Sequence, residues 1–473
     1  MSSFPSPDFG RGARGEGTRL QSRATCGTAA TVSAPAKWQE QFRDKLVSAD
    51  EAVRRVKSGD LVRFVMGPVP VTLVNALARR RDELDGVRVH QGATRHALPW
   101  ATTEPGWEEH LQFVTDFISA LVRPAIAARR GDFAVTDYGI GSKALEAGRQ
   151  DAWSADVFMA LVSEPNADGR VSFGYSLWHS KALLRAARLR IAEVGHNVLR
   201  TRGGNSVDLS EFDLIVEQVD PHQPSPPPEL SAERIEVTEV IGAYVSTLVN
   251  DRDTIQIGTG TLSSCMGSYL TEKRDLGIDA EILVASAVEL MKCGAATGRY
   301  KTQCPGIATA SFIVPGADFG FCADNPLIEL RDIEWTNNLP RIASIRNLVA
   351  INQASMIDLT GQVASESIGP VMYTGPGGQL VWTMGALMAP GGRALHVLPS
   401  TARNGRISRI VAQLPPGTVV TVPRTFVDFV VTEYGITNLQ GLTQRQRALA
   451  LIDLAHPDFR DQLRNEAQAL YWP

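Results

Sequence analysis

Two glycine-rich turns are the first features of this sequence whose residue types and spacing could do chemistry. Gly258-Thr259-Gly260 lies between an apolar run and a predicted helix, and Gly375-Pro-Gly377-Gly378-Gln379 is a second glycine cluster. Free backbone N–H groups before a helix can stabilise an anion, either a phosphate or a developing oxyanion. A plain tight turn would have the same composition as 375–379. The first turn is not a dinucleotide-binding motif, because Ser263 stands where the third glycine should be.

A carboxylate, that of Glu289, follows the apolar run 282–285, which we predict to be a strand. Open α/β sheets place reactive groups at the carboxyl ends of their strands, where strand gives way to helix. A single carboxylate at a helix start more often only interacts with the helix dipole. Spacing alone favours that second interpretation.

The segment 399–409 combines hydroxyl groups with arginines near a predicted strand end. Ser400, Thr401 and Ser408 supply the hydroxyls, and Arg409 is the last of three arginines. Arginine and hydroxyl donors are what a phosphate site needs. A solvated loop would have the same composition.

Composition excludes several classes of function. The chain has 473 residues, 44% of them hydrophobic, a net charge of −4 and no apolar run long enough to cross a bilayer. We therefore expect a soluble protein with no membrane role and no nucleic-acid partner. The five cysteines form no C-x-x-C pair, and the eight histidines show no metal-ligand spacing. These patterns predict no disulfide framework, no metal and a cytoplasmic location.

The elements that must position these residues alternate in the same order in both halves of the chain. The first half reads as a helix ending at Gly59, a strand at 61–66, a helix at 71–84 and a strand at 87–90. The second half reads as a helix at 241–249, a strand at 254–257, a helix to about Lys273 and a strand at 282–285. This repetition predicts an α/β fold of two tandem related open domains with mostly parallel sheets. The active site should lie at the domain interface.

A proline-rich stretch between the halves marks the predicted domain boundary. Prolines fix φ and disfavour both helix and sheet interiors, so 219–231 is predicted to be a semi-rigid linker. The N-terminal domain then covers 37–218 and the C-terminal domain 232–473. Residues 1–36 lack periodic apolar positions and are predicted to form a disordered tail.

Taken in order, short runs over residues 38–473 resemble the 4-hydroxybutyrate CoA-transferase and acetyl-CoA hydrolase/transferase family, within the class I CoA-transferase superfamily. So many specific matches in one order are not expected by chance. The runs include Ser48–Gly59, Val171-Ser-Phe-Gly174, Gly258-Thr-Gly260, Val288-Glu-Leu290, Ser365-Glu-Ser-Ile-Gly369, Gly375–Gln379, Pro399-Ser-Thr-Ala402, Val431-Thr-Glu-Tyr-Gly-Ile436 and Ala455-His-Pro-Asp-Phe-Arg460.

The resemblance implies an acyl-CoA:carboxylate CoA-transferase with ping-pong kinetics. In similar enzymes the glutamate that falls on Glu289 attacks the acyl-CoA carbonyl, and a mixed anhydride then gives a glutamyl-CoA thioester. A carboxylate is ionised at neutral pH and needs no general base for this attack. Backbone N–H groups of Thr259, Gly260, Gly377 and Gly378 would stabilise the oxyanions.

The same resemblance implies further site residues and partners. Asn352 and Glu433 match polar positions that line the site. The predicted contacts with coenzyme A are Gly258, Gly375, Gln379, Ser400, Thr401, Ser408 and Arg409. The substrates would be an acyl-CoA thioester and a small carboxylic acid, without a permanently bound cofactor, and relatives indicate a homodimer or a higher homo-oligomer.

Two alternatives stay open beside CoA transfer. One is an acyl-CoA hydrolase or biosynthetic acyltransferase built on the same acyl-glutamate, and the other is a non-catalytic CoA-binding homologue in which Glu289 only caps a helix. The sequence departs from the family at Ala285-Ser286, where an Asp-Gly pair is common, and at Val381 and Met384. The segment 113–122 has an apolar helix pattern in place of an aromatic and glycine-rich segment. These departures bear on which acid is accepted.

Overall fold

The first half of the chain folds around a parallel sheet. The computed structural model describes residues 38–141, 143, 155–222 and 232–472, so the predicted tail and most of the predicted linker lie outside the described residues. The strands are β1 (Leu61–Phe64), β2 (Val87–Gln91), β3 (Leu111–Thr115), β4 (Gly131–Phe133), β5 (Val157–Ser163), β6 (Arg170–Val171), β7 (Leu189–Gly195), β8 (Arg202–Gly203), β9 (Val207–Asp208) and β10 (Leu214–Glu217). Seven of them form one sheet in the order β10-β7-β5-β1-β2-β3-β4, with every neighbouring pair parallel.

Short helices cover this first sheet. They are α1 (Trp38–Gln41), α2 (Ala49–Val53), α3 (Val71–Arg79), α4 (Arg123–Ala127) and α5 (Ser180–Ala186). The Ser48 hydroxyl accepts a hydrogen bond from the Glu51 N–H and caps α2. Pro70 offers α3 no side-chain cap, and the buried Glu193 carboxylate on β7 instead accepts a 3.0 Å hydrogen bond from the N–H of Leu73. A buried acid thereby satisfies one of the free N–H groups at this helix start.

The second half contains a second, mostly parallel sheet. Its strands are β11 (Thr254–Ile257), β12 (Gly277–Ile278), β13 (Ile282–Leu283), β14 (Ala308–Ala310), β15 (Phe312–Ile313), β16 (Ile328–Leu330), β17 (Leu348–Gln353), β18 (Met356–Asp358), β19 (Val363–Ala364), β20 (Ser367–Ile368), β21 (Val371–Met372), β22 (Arg393–Val397), β23 (Thr401–Ala402), β24 (Ile407–Ser408), β25 (Ile410–Val411), β26 (Phe429–Thr432) and β27 (Gly435–Asn438). The main sheet has the order β12-β11-β17-β22-β26-β27, and only its edge strand β27 is antiparallel to its neighbour.

The helices of the second half are α6 (Ala232–Thr247), α7 (Ala285–Lys292), α8 (Phe319–Cys322), α9 (Ile333–Thr336), α10 (Leu339–Ala343), α11 (Gln379–Met388), α12 (Gln444–Asp453) and α13 (Pro457–Tyr471). A 3₁₀ helix, Ser263–Leu270, follows β11. Thr443 and Gln446 form a capping box that begins α12. No helix among the described residues is both long and apolar enough to cross a membrane.

The two halves share hydrogen bonds and a core. Strand β8 of the first half pairs with β16 of the second, and Ser176 forms an isolated antiparallel bridge with Phe312. The largest cluster of buried apolar side chains includes Phe158 and Tyr175 from the first half together with Ile255 and Val288 from the second. Residues from Trp38 onward accordingly form one compact unit.

The predicted α/β fold with two mostly parallel sheets is confirmed, whereas two local predictions are wrong. The apolar run 113–122 does not form a helix, because its first residues belong to the buried strand β3. The run 282–285 was expected to be one strand, but β13 ends at Leu283, lies outside the main sheet, and gives way to α7 at Ala285. The domain boundaries at 37–218, 219–231 and 232–473 stay a prediction.

Candidate active site

Polar and glycine residues gather at one edge of the second sheet. Because β12, β11, β17, β22 and β26 are parallel, their carboxyl ends share this edge. Gly258 follows β11, Glu281 follows β12 after two intervening residues, Asn352 lies near the end of β17, Ser400 comes shortly after β22, and Glu433 follows β26. This is the edge at which open α/β sheets bind ligands.

The carboxylate of Glu281 follows β12, the outermost strand at one side of this sheet. Its side chain is buried, and Asn337 Nδ2 donates a 2.5 Å hydrogen bond to Oε2. The other end of the Asn337 amide accepts a hydrogen bond from the indole N–H of Trp382, which fixes the orientation of the amide. Asn337 therefore presents an N–H group, not a carbonyl oxygen, to the carboxylate.

Burial raises the pKa of Glu281 to about 7. Desolvation is the largest cause, the hydrogen bond from Asn337 lowers the pKa, and the negative charge of Asp137 raises it. A carboxyl group with such a pKa is partly ionised at neutral pH. Perturbed titration in a cleft is a frequent property of catalytic groups.

The predicted glycine loop 375–379 lies directly against Glu281. A Cβ atom on Gly378 would overlap Oε2 of Glu281, and Trp382 Cδ1 and Asn337 Nδ2 would lie 2.9 and 3.0 Å away. Gly377 has a φ of +56°, which suits glycine, and Glu281 Oε1 would lie 3.8 Å from its Cβ. Only glycine lets the backbone approach this carboxylate so closely.

The same loop contacts the first half of the chain. A Cβ on Gly375 would lie 2.8 Å from the carbonyl oxygen of Asp116 and 3.1 Å from the ring of Phe117. These two residues come directly after β3, at the carboxyl end of the first sheet. The predicted loop is thus held between the carboxyl ends of both sheets, with Gln379 as the first residue of α11.

The turn Gly258–Gly260 has fewer free donors than the sequence implied. The Gly258 N–H continues the sheet and donates to the carbonyl oxygen of Ile351 at 2.9 Å. The N–H groups of Thr259 and Gly260 have no acceptor within the described part of the chain. A Cβ on Gly258 would overlap the Asn352 amide, where Oδ1 is 2.5 Å away. Asn352 therefore lies beside this turn, paired with the amide of Gln256 at 2.9 Å.

The structure places Glu289 apart from these glycines. Its side chain is 58% exposed and pairs with Lys292 at 3.0 Å, and Lys292 also pairs with Asp318. The atoms nearest to a Cβ on Gly258, Gly260, Gly377 or Gly378 belong to the side chains of Asn352, Gln353 and Glu281. Glu289 as the nucleophile stays a prediction from the sequence, and the geometry gives it no partner in this site.

The predicted coenzyme A loop is largely hydrogen-bonded within itself. Glu433 accepts hydrogen bonds from the N–H and the hydroxyl of Ser400, at 2.9 and 2.6 Å. Thr401 and Ser408 face each other in the β23–β24 pair. Arg409 donates to the carbonyl oxygens of Thr401 and Ser355. Glu433 and Ser400 thus form one unit at the sheet edge, and Arg409 braces the loop behind it.

Sequence and structural comparisons agree on the relatives of this chain. The acetyl-CoA hydrolase/transferase N-terminal domain matches residues 31–226, and the C-terminal domain of the same family matches residues 318–467. The chain is 36% identical over 434 residues to a 4-hydroxybutyrate coenzyme A transferase of Clostridium kluyveri, which covers 91% of this chain and 99% of the relative. The chain belongs to the acetyl-CoA hydrolase/transferase family.

Other members of this family extend the likeness to solved structures. A succinyl-CoA:cyclohexane-1-carboxylate CoA transferase of Geobacter metallireducens is 34% identical, covering 93% of this chain and 98% of the relative. The crystal structure of RipA from Yersinia pestis has a TM-score of 0.81 at 30% identity, over 92% of this chain and 99% of that one. A 4-hydroxybutyrate CoA-transferase of Porphyromonas gingivalis gives a TM-score of 0.71 at 29% identity, over 92% and 100%. The predicted family and the prediction of an enzyme are confirmed.

Glu281 is a residue of this sheet edge that the sequence did not predict. The apolar run 282–285 is predicted to be a strand, and the family resemblance places the nucleophile after it, at Glu289. The sheet strand is instead the two-residue β12, and Glu281 follows its carboxyl end. Only the short run Gly277-Ile278 before Asp279-Ala-Glu281 could have indicated this.

Proposed function

We propose that this enzyme transfers coenzyme A between an acyl-CoA and a carboxylic acid, with Glu281 as the nucleophile. The observation that carries the assignment is the buried Glu281 carboxylate, held by Asn337 against the backbone of Gly378. The names of the relatives support the reaction class, because they are CoA transferases that act on acyl-CoA and carboxylate pairs.

The proposed reaction passes through two covalent intermediates on Glu281. An oxygen of Glu281 attacks the thioester carbonyl carbon, the C–S bond breaks, and CoA thiolate leaves behind a mixed anhydride. The thiolate then attacks the glutamyl carbonyl, forming a glutamyl-CoA thioester and releasing the first acid as a carboxylate. The second acid reverses both steps, so no water is consumed and no group outside the substrates is needed.

Each tetrahedral intermediate carries a negative oxygen that needs donors. The N–H groups of Gly377 and Gly378 lie beside Glu281, at the start of α11, where the helix dipole also favours negative charge. The N–H groups of Thr259 and Gly260 are free to serve at the neighbouring strand end. A single donor of this kind is worth about 3–4 kcal/mol in the transition state.

The proposed nucleophile can be tested against the alternative with matched variants. The protein is incubated with acyl-CoA, reduced with borohydride and digested, and peptide mass spectrometry locates the reduced glutamyl residue. We expect modification at Glu281 that depends on acyl-CoA, is lost in Glu281→Gln and persists in Glu289→Gln. Modification that moves with Glu289 would restore the sequence prediction.

A second readout separates CoA transfer from hydrolysis. Thioester loss is followed with and without an added carboxylic acid, and we expect new thioester to form only when the acid is present. Rapid loss without any acid would favour the acyl-CoA hydrolase. Binding of CoA with neither reaction nor modification would favour the non-catalytic homologue.

A further inference from the structure

A buried arginine that the proposed chemistry does not use contacts the chain segments around the proposed nucleophile. Arg341 belongs to α10, and its side chain is only 8% exposed. The Arg341 N–H donates a 3.0 Å hydrogen bond to Oδ1 of Asn338, which caps the start of this helix. The Arg341 guanidinium group is therefore held in the interior from a fixed backbone position.

The guanidinium group joins the segment that carries Glu281 to the segment that carries Asn337. Nη1 donates a 3.1 Å hydrogen bond to Oδ2 of Asp279, and Nη2 lies 3.0 Å from Oδ1 of the same carboxylate. Nη2 also donates a 2.7 Å hydrogen bond to the carbonyl oxygen of Thr336. Asp279 stands two residues before Glu281, and Thr336 directly precedes Asn337. One side chain thus connects the nucleophile's segment with that of its hydrogen-bond donor.

The backbone holds these two segments in different ways. The N–H groups of Asp279 and Ala280 donate to carbonyl oxygens of β11 and β14, at 3.1 and 3.0 Å, so the segment before Glu281 is bonded on both sides. Asn337 instead lies in the short connection between α9 and α10. Arg341 attaches this connection to the strand-bonded segment, and it thereby acts on the distance between the carboxylate and its donor.

Arg341 also contacts the aromatic rings around the Asn337 amide. Its Cζ lies 4.0 Å from the ring centroid of Trp335 and 5.7 Å from that of Trp382. A guanidinium group at such a distance is attracted to the face of an indole ring. The Trp382 indole N–H donates to Oδ1 of Asn337 at 3.1 Å, while Nδ2 of the same amide donates to Glu281. Arg341 therefore supports both the backbone and the amide orientation of Asn337.

We propose that Arg341 is a positioning residue for CoA transfer, which keeps Asn337 at hydrogen-bond distance from the Glu281 carboxylate. The role assigned to Arg341 rests on the proposed function, since Glu281 must be the reactive carboxylate. The planar fork of arginine can bind a carboxylate and a carbonyl oxygen together, whereas a lysine ammonium is a point charge without that geometry. Misplacing a reacting group by roughly 1 Å can cost about 10²-fold in rate, so loss of the fork should slow the reaction.

The test compares Arg341→Lys and Arg341→Met with a matched variant at the opposite edge of the same sheet. The matched residue is Arg393, a second largely buried arginine that pairs with an aspartate, Asp253, and donates to the carbonyl oxygen of Leu248 at 2.6 Å. These contacts lie at the amino ends of β22 and β11. Arg393→Met therefore controls for the loss of a buried ion pair away from the site.

We expect kcat to fall about tenfold or more in both Arg341 variants, while KM for acyl-CoA changes by less than about threefold. The midpoint of the pH profile of kcat/KM should move to higher pH, because the hydrogen bond from Asn337 lowers the pKa of Glu281. Arg393→Met should melt at a lower temperature but keep the wild-type kcat and the wild-type midpoint. Thermal melting identifies a variant that does not fold, and Arg341→Lys then replaces Arg341→Met.

Glu281→Gln separates the role of Arg341 from the function on which it rests. An inactive Glu281→Gln together with a wild-type pH midpoint in the folded Arg341 variants would overturn the positioning role alone, whatever the change in kcat. An equal change of kcat and midpoint in Arg393→Met would also overturn it, because any buried ion pair would then have the same effect. Full activity in Glu281→Gln would overturn the proposed nucleophile and the positioning role with it.

Discussion

The substitution Gly378→Ala tests the contact that defines the proposed site. Gly378 has a φ of −91°, so alanine is tolerated by the backbone and any effect is steric. The new Cβ would overlap Oε2 of Glu281 and lie 2.9 Å from Trp382 and 3.0 Å from Asn337. Since non-bonded carbon contacts are comfortable near ~3.5 Å, the carboxylate must retreat by roughly 1 Å.

A displacement of that size should lower both the reaction rate and the stability of the fold. Misplacing a reacting group by roughly 1 Å can cost about 10²-fold in rate, and overpacking a buried site costs about 1–3 kcal/mol of stability. We therefore expect kcat for Gly378→Ala to fall about 100-fold while the protein still folds. Wild type and variant are compared in a steady-state CoA-transfer assay and in urea unfolding. The matched control is Gly320→Ala, whose Cβ would meet only Asp318 Oδ1, at 3.3 Å. Wild-type kcat in Gly378→Ala would refute the placement of the reactive carboxylate at Gly378.

Three further predictions follow from the same contacts. Attack needs the ionised Glu281 carboxylate, whose pKa is about 7, so kcat/KM should fall about tenfold per pH unit below pH 7. Asn337→Ala removes a hydrogen-bond donor that lowers this pKa, so the pH profile of kcat/KM should shift to higher pH in that variant. Asp279 pairs with Arg341 at 3.0 Å and lies 3.7 Å from Lys301, so Asp279→Asn should destabilise the fold by about 3–5 kcal/mol in urea unfolding. Burial raises the pKa of Glu193 to about 7, above its value in the unfolded chain. The protonated carboxyl group therefore contributes stability at low pH, and this contribution is lost as the pH rises through about 7. Glu193→Gln should flatten that part of the curve of stability against pH, as measured by thermal melting.

The sequence predicted the general architecture because its pattern is local. Buried parallel strands have short, largely apolar sequences, and the strands predicted at 61–66 and 254–257 are observed as β1 and β11. The glycine loop at 375–379 was also visible in the sequence. Gly378 has no Cβ, which allows its backbone to lie against the Glu281 carboxylate. Oligomeric state and cellular location stay predictions.

The position of Glu281, the proposed nucleophile, could not be predicted in the same way, because it depends on strand pairing. β12 contains only two residues, and it becomes a sheet strand through its pairing with β11, which lies more than 20 residues earlier in the chain. Periodicity within one segment carries no information about such a pairing. The apolar run at Ile282 gave a stronger local pattern but belongs to a separate two-stranded sheet. Glu289 is exposed in the folded chain and forms an ion pair with Lys292.

The burial of Glu281 bears on why the enzyme would transfer CoA to a second acid instead of hydrolysing the acyl-CoA thioester. A mixed anhydride and a glutamyl-CoA thioester both react with water, so a solvated nucleophile would lose its acyl and CoA groups to hydrolysis. Glu281 is enclosed by Asn337, Gly378 and the residues around Trp382, and the same desolvation that raises its pKa keeps water from the carboxyl carbon. A second acid that displaces the first from this enclosed site is then the available acceptor. An exposed carboxylate such as that of Glu289 would offer the intermediate no such protection, which favours Glu281 on chemical as well as geometric grounds.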